Sequence, residues 1–354
     1  MPPSPGNSPR PGAGSGPGSG PGTGRPAAQW QLDPPYGART VLAILVVFVF
    51  LVVSGRHTEI DRMFYMLGEA AGNVVGLNES SQVVKGTAQI ARSMFPIRIS
   101  EVTEISRIEN FDPENLPPLA RIETEEVEIT QVNPVTLALE RTTQTRTVLY
   151  QPVGYLMHVL RKMLETIEIA LWATLFSIIL SVPLAYYSSA NYSPNRLAYG
   201  LARGVVSMFR AIPELISAMF LVLAFGFGPI AGILALAIHS AGFLGKFYAE
   251  DIENADKGPQ EALRAVGVSK VSTLRYAVLP QVLPQYVAYN MYILDRNVRM
   301  ATVIGIVGAG GIGQELKGRY DMFDYGHVAT ILLMIFLTVF LLDQIADRIR
   351  AKLI

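Results

Sequence analysis

Apolar runs recur along this chain with polar stretches between them. The first, TVLAILVVFVFLVVS (40–54), is short for a bilayer crossing, but Ala38 and the stem of Arg39 extend it. From residue 164 the runs follow in quick succession. LETIEIALWATLFSIILSVPLAYYSSA (164–190) opens with Glu165 and Glu168, read as interfacial, and has Pro183 near its end. LAYGLARGVVSMFRAIPELISAMFLVLAFGFG (197–228) is long enough to cross, and Pro213 is expected to break it. GPIAGILALAIHSAGFLGKFYAE (228–250), YVAYNMYILDRNVRMATVIGIVG (286–308) and YGHVATILLMIFLTVFLLDQ (325–344) complete six predicted transmembrane helices. A secretory signal is the rival for 40–54. Its distance from the N-terminus and the lack of a small-x-small cleavage site favour a retained anchor.

The polar zones differ in kind. Residues 1–37 are Pro, Gly and Ser with too few apolar side chains to offset ordering entropy, and predict a disordered tail. Residues 56–160 carry mixed charge and no span. Within them ARIETEEVEITQV (120–132) alternates at period two, with Val127, Ile129 and Ile122 assigned to one face. Asn133-Pro134 signals a turn, after which Leu137 and Leu139 alternate again. A small β-hairpin at about 120–150 is expected.

Composition agrees with a membrane protein. Half of the 354 residues are hydrophobic and 16% are charged, against roughly a quarter charged in soluble domains. Formal net charge is zero, which gives no argument for nucleic acid. The chain has no cysteine and 4 histidines without metal-ligand spacing, so thiol chemistry is excluded and a metal site is not expected. Lysine and arginine at 196, 203, 257, 264, 270, 275, 348, 350 and 352 place these connections on one side, the cytoplasmic one. Six spans then leave both termini cytoplasmic, and the insert and the glycine-rich loop after 303 face outward.

One cytoplasmic segment is distinctive: DKGPQEALRAVGVSKVSTLRYAVLPQVLPQY (256–286). Pro259 suits a first helical turn, Gly267 suits the left-handed residue after a helix, and Ser269 suits the cap of a second helix ended by Pro280. Leu263, Val266, Val268, Leu274 and Val278 are expected to form an adhesive face. Glu261-Ala262, Gly267 and Leu279-Pro280 match the spacing of the EAA loop, with Leu263 and Ala277 departing from it by apolar swaps. The chain thus resembles permease subunits of binding-protein-dependent ABC transporters. RAIPELISAMFLVLAFGFGPIAGILALAIHSAGFLGKFYAEDIENAD (210–256) and NVRMATVIGIVGAGGIGQEL (297–316) look like the phosphonate-type, PhnE-like branch.

The resemblance covers most of 160–354 and implies an all-α polytopic membrane protein with the MetI-like ABC importer permease core, plus the extracytoplasmic hairpin insert. It implies a permease homodimer in the inner membrane and in contact with lipid. A separate ABC ATPase dimer would use ATP and Mg, docking at Glu261, Ala262, Gly267, Leu279 and Pro280, and an extracytoplasmic substrate-binding protein would supply the cargo. The chain itself has no G-x-x-x-x-G-K-[ST] loop and would bind no cofactor and hydrolyse nothing. Two copies against a hetero-dimer, and phosphonate against phosphite or phosphate, stay open.

Ionisable residues inside spans mark pathways or internal ion pairs. Arg210, Glu214, His239, Arg296 and Arg299 are the pathway candidates, the arginines suiting an anionic cargo. Pairing of Arg296 or Arg299 with Asp295 or Glu214 is the alternative, as is a packing role for His239. Finally, VIGIVGAGGIGQELKG (303–318) carries Gly308, Gly310 and Gly313 at dinucleotide-fingerprint spacing. A membrane-anchored oxidoreductase would need a βαβ unit of about thirty residues, and the next span begins too soon for one. Gly308, Gly310, Gly311 and Gly313 are therefore read as an outward re-entrant turn, either an outer gate or a plain tight loop.

Overall fold

A computed structural model describes residues 37–76, 81–109, 111–132 and 139–353. The predicted tail, the Asn133-Pro134 turn and Leu137 lie outside them. The chain divides into two compact bodies, residues 1–83 and 84–354. The first contains α1 (Ala38–His57) and α2 (Ile60–Val74). No residue of α1 is buried, and its apolar side chains run all round the helix, as suits a membrane-spanning segment.

The boundary falls within the first turn of α3 (Gln82–Met94), and the second body continues with β1 (Glu101–Glu104), β2 (Arg121–Val132) and β3 (Leu139–Gln151). The strands form one antiparallel sheet in the order β1-β3-β2. Register runs without interruption from Arg121 opposite Tyr150 to Val132 opposite Leu139. With no bulge to reset the alternation, Ile122 and Val127 fall on opposite faces, so the assignment of both to one face is corrected.

The helical remainder comprises α4 (Gly154–Ser188), α5 (Arg196–Ala211), α6 (Glu214–Phe225), α7 (Pro229–Asn254), α8 (Lys257–Ala265), α9 (Lys270–Thr273), α10 (Leu279–Gly305), α11 (Gly311–Asp321) and α12 (Tyr325–Leu353). Among the described residues, α1, α4, α7 and α12 are long and apolar enough to cross a membrane. The pair α5 and α6, bent by 90° at Ile212-Pro213, passes the same test only with its two halves taken together, the geometry of a broken span or a re-entrant loop. Pro213 removes a backbone donor and keeps its neighbour extended, which accounts for the break. The sixth expected span, α10, has 27 residues, about 40 Å of helix. Asn290, Asp295, Arg296, Asn297 and Arg299 lower its apolarity below that of the others.

Small residues set the packing. Ala170, Ala173 and Ser177 of α4 are fully buried, as are Ala235, Ser240 and Ala241 of α7. A methyl on Gly245 would stand 3.3 Å from Leu184 Cβ, so glycine permits the close approach of α7 to α4. One apolar core joins α4, α6, α7, α10, α11 and α12 through residues such as Ile169, Ala218, Leu236, Ile304, Ile312 and Ile331. A second gathers Tyr192, Leu244, Tyr248, Val278, Tyr286 and Ile293 nearer the loop after α7.

Candidate functional site

The corner between α7 and α10 is built by capping. Asp256 accepts the N–H of Gly258 and starts α8, with Pro259 in the first turn. At the other end Gly267 adopts φ +82°, donating to the carbonyl of Arg264 at 3.0 Å, while Val268 donates to that of Leu263 at 3.1 Å. These two bonds are the Schellman closure. Ser269 then caps α9 through the N–H of Ser272.

Pro280 does not end the second helix. A π-helical turn over Leu274–Val278 widens the backbone, with the N–H of Leu279 bonded to the carbonyl of Leu274, and α10 continues through Pro280 and Pro284. A proline in the first turn of α10 lacks only a donor that helix starts leave unpaired anyway. The adhesive face is also redrawn. Val278 is fully buried and Leu274 packs on the second core. The exposed apolar side chains are Val266, Val271 and Tyr276. Glu261, Ala262, Gly267 and Pro280 are exposed, whereas Leu279 packs inward.

Sequence reasoning missed Gln260, which is buried and ties the corner to the body. Its Nε2 donates to the carbonyls of Ala255 (3.2 Å) and Asp256 (2.9 Å), and its Oε1 accepts from the Tyr192 hydroxyl at 2.8 Å. A glutamine next to the motif glutamate was the available signal.

Four of the five pathway candidates converge where α5 breaks into α6. Glu214, 8% exposed, pairs with Arg296 through Oε1, and His239 Nε2 reaches the same oxygen at 3.1 Å. His239 Nδ1 donates to the carbonyl of Ile212 at 3.1 Å. Arg210 and Arg296 both stack on Phe243. Gly242 lets α5 come this close, since a methyl there would crowd Phe209 and Arg210. Arg299 is elsewhere: it bonds Asp295 (Nη1 to Oδ1 at 3.1 Å) and Asp343 of α12 (3.3 Å). Beside the cluster, Ser240, Asn297 and Thr174 link α7, α10 and α4 by hydrogen bonds of 2.9 Å each, a network sequence reasoning did not single out.

The glycine-rich stretch lies at a helix crossing. Gly308, Gly310 and Gly311 have φ of +95°, +83° and +71°, open to glycine at little cost. Gly313 abuts the backbone of Thr302 and Gly305, with no room for a methyl. The free amides at the start of α11 are already taken: Gly311 N–H donates to Glu165 Oε1 at 3.0 Å and Ile312 N–H to Thr166 Oγ1 at 2.8 Å. Glu165, expected to be interfacial, is thus an inter-helix cap, and a pyrophosphate would find its donors occupied. No parallel strand accompanies the turn among the described residues.

Four long apolar helices among the described residues, a bent helix pair and a capped corner between α7 and α10 are the architecture of a polytopic membrane protein. The family described as "Binding-protein-dependent transport system inner membrane component" matches residues 154–354. The chain belongs to that family, and is an inner-membrane permease component of ABC importer type. It is 59% identical over 261 residues to HtxE of Stutzerimonas stutzeri, provisionally named a phosphite transport system permease, covering 74% of this chain and all of that one. It is 41% identical over 191 residues to the phosphite transport system permease PtxC of the same species, covering 54% of this chain and 70% of that one. A structure of the MetNI methionine ABC transporter in an inward-facing conformation superposes with TM-score 0.50 at 25% identity, covering 57% of this chain and 99% of that one.

Proposed function

We propose that two copies of this chain form the membrane pathway of an importer for a phosphorus oxyanion, phosphite or a phosphonate. A separate ATPase dimer drives it and an extracytoplasmic binding protein feeds it. The observation that carries the reading is the capped corner from Asp256 to Leu279, which presents Glu261, Ala262 and Gly267 beside the exposed apolar side chains of Val266, Val271 and Tyr276. A rigid, partly apolar helical corner between two spans suits a cleft on a motor subunit. ATP and Mg belong to that subunit, while this chain binds neither.

The substrate class draws on the relatives named for phosphite transport and on the surplus of arginine near Pro213. The corner and both termini face the cytoplasm, following the lysine and arginine distribution. About 40 Å of α10 separates the corner from Gly308, Gly310, Gly311 and Gly313, which we assign to the outer gate. Reconstitution with the cognate ATPase and binding protein tests the whole. ATP-dependent uptake of labelled phosphite, competed by methylphosphonate or phosphate, is expected. Uptake indifferent to every phosphorus oxyanion would refute the substrate assignment.

A further inference from the structure

Two arginines lean on one aromatic ring at the α5–α6 break, and each keeps a donor without an acceptor. The guanidinium carbons of Arg210 and Arg296 stand 5.0 and 5.2 Å from the centroid of Phe243. Arg210 Nε and Arg296 Nη1 are buried and unbonded. Glu214 is the carboxylate that Arg296 pairs with, and it also contacts His239 through the same oxygen. Asp295, next in sequence to Arg296, is engaged by Arg299 instead. Positive charge and hydrogen-bond donors are therefore in excess over their acceptors here.

A purely structural ion pair has no need of that excess. One residue along on α7 and α10, Ser240 and Asn297 complete their bonds with each other and with Thr174, and Thr174 Oγ1 donates on to the carbonyl of Ala170 at 2.7 Å. Unmade bonds on buried charged groups are among the costlier defects a fold can hold. The break also begins a new helix beside the cluster. The first backbone bond of α6 runs from Ser217 N–H to the carbonyl of Pro213 at 3.1 Å, so the amides of Glu214, Leu215 and Ile216 precede it. A half-helix start at membrane depth favours negative charge, and irregular backbone there is tolerated where it lines a cavity. Arg296 keeps 22% of its side chain exposed, so the cluster opens to the chain surface.

We propose that this cluster is an intramembrane binding site for one small tetrahedral oxyanion. Arg210 and Arg296 are its ligands, and Glu214 is the resident carboxylate that the anion displaces from Arg296. The site rests on the import function proposed above and adds to it a halting point within the membrane. Displacement needs no covalent step: the anion takes the guanidinium donors, and Glu214 retains His239.

The test uses the full chain in lipid nanodiscs and the phosphorus-31 line width of phosphite, with phosphate and methylphosphonate in parallel. Wild type broadens the signal. Arg210→Gln and Arg296→Gln each weaken binding on the order of tenfold, the scale of one charge-assisted hydrogen bond. Arg296→Lys recovers part of it. Glu214→Gln, which removes the competing carboxylate, strengthens binding several-fold, an outcome no misfolded variant would mimic. Lys317→Gln, which removes a cation from α11, leaves it unchanged. Wild-type binding in both glutamine variants, or weaker binding in Glu214→Gln, overturns the site. Uptake by the assembled wild-type transporter is measured alongside. Uptake without any binding by this cluster removes the site and leaves the importer standing, whereas no uptake of any of the three anions removes the importer reading itself.

Discussion

Glu165 Oε1 accepts the backbone N–H of Gly311 at 3.0 Å across 146 positions of sequence. Because Gly310, the residue before α11, has no side chain to offer, the helix takes its cap from α4 instead. Thr166 completes it through Ile312. Loss of an N-cap costs about 1 kcal/mol, and somewhat more for a charged one. Glu165→Ala should therefore lower the melting temperature of the full chain in detergent by about 2 °C, and Thr166→Val by a similar amount. Unchanged melting in both would mean the cap contributes nothing.

The α10–α11 crossing is more sensitive still. A methyl on Gly313 would overlap the carbonyl of Thr302 and the backbone of Gly305, while nothing lies within 4 Å of one on Gly318 in the same helix. Gly313→Ala should cost upwards of about 3 kcal/mol, the upper range for overpacking. Gly318→Ala should be neutral or slightly stabilising, since alanine is the better helix former. The yield of monodisperse protein after purification distinguishes the two.

At the corner between α8 and α9, Gly267 holds φ +82° with open space around it. A side chain there is strained but unobstructed, so Gly267→Asp should insert normally into the membrane. With Glu261→Ala, it should reduce ATP-driven uptake at least about tenfold, equivalent to roughly 1.4 kcal/mol of lost coupling. Transport at the normal rate by both variants, with the ATPase present, would refute the docking assignment.

Acid should loosen the opposite end of the body. Burial pushes the Glu315 carboxyl up, but hydrogen bonds from Arg319 and His158 outweigh it and hold the group below its ordinary value of 4.5. A depressed carboxyl stabilises the fold above the unfolded value, and that stabilisation is lost as pH falls through the folded one. Glu315→Gln should therefore melt earlier than wild type at pH 7. The two curves should converge as pH falls below about 4.5. A constant gap down to pH 3 would show that Glu315 does not titrate with folding.

The helices were legible because apolar runs of this length admit few alternatives, and Pro213 announced its break through backbone chemistry alone. Gly267 and Ser269 announced the corner in the same way. Other features depend on partners that sequence does not name. Glu165 read as interfacial because the amide it accepts from, that of Gly311, lies far along the chain. Pro280 read as a terminator because nothing local foretells a π-helical turn. Arg299 shares a helix with Arg296, three residues away, and yet faces Asp343 rather than Glu214. Its bond to Asp295 follows the i,i+4 spacing on α10, while the bond to Asp343 depends on the packing of α12.

The segment before β1 has a mechanical consequence. Arg98 N–H bonds the carbonyl of Gly326, the Arg98 carbonyl accepts from Thr330, the Ile99 carbonyl accepts from Leu156, and the Ser100 carbonyl meets His327 Nε2. Three consecutive residues are thus stitched to the first turns of both α4 and α12, while β3 runs on almost directly into α4. The sheet is a handle bolted to two helices at once. A pull or tilt applied to its strands is delivered to the first and last helices of the membrane core together, with no slack loop between them to absorb it.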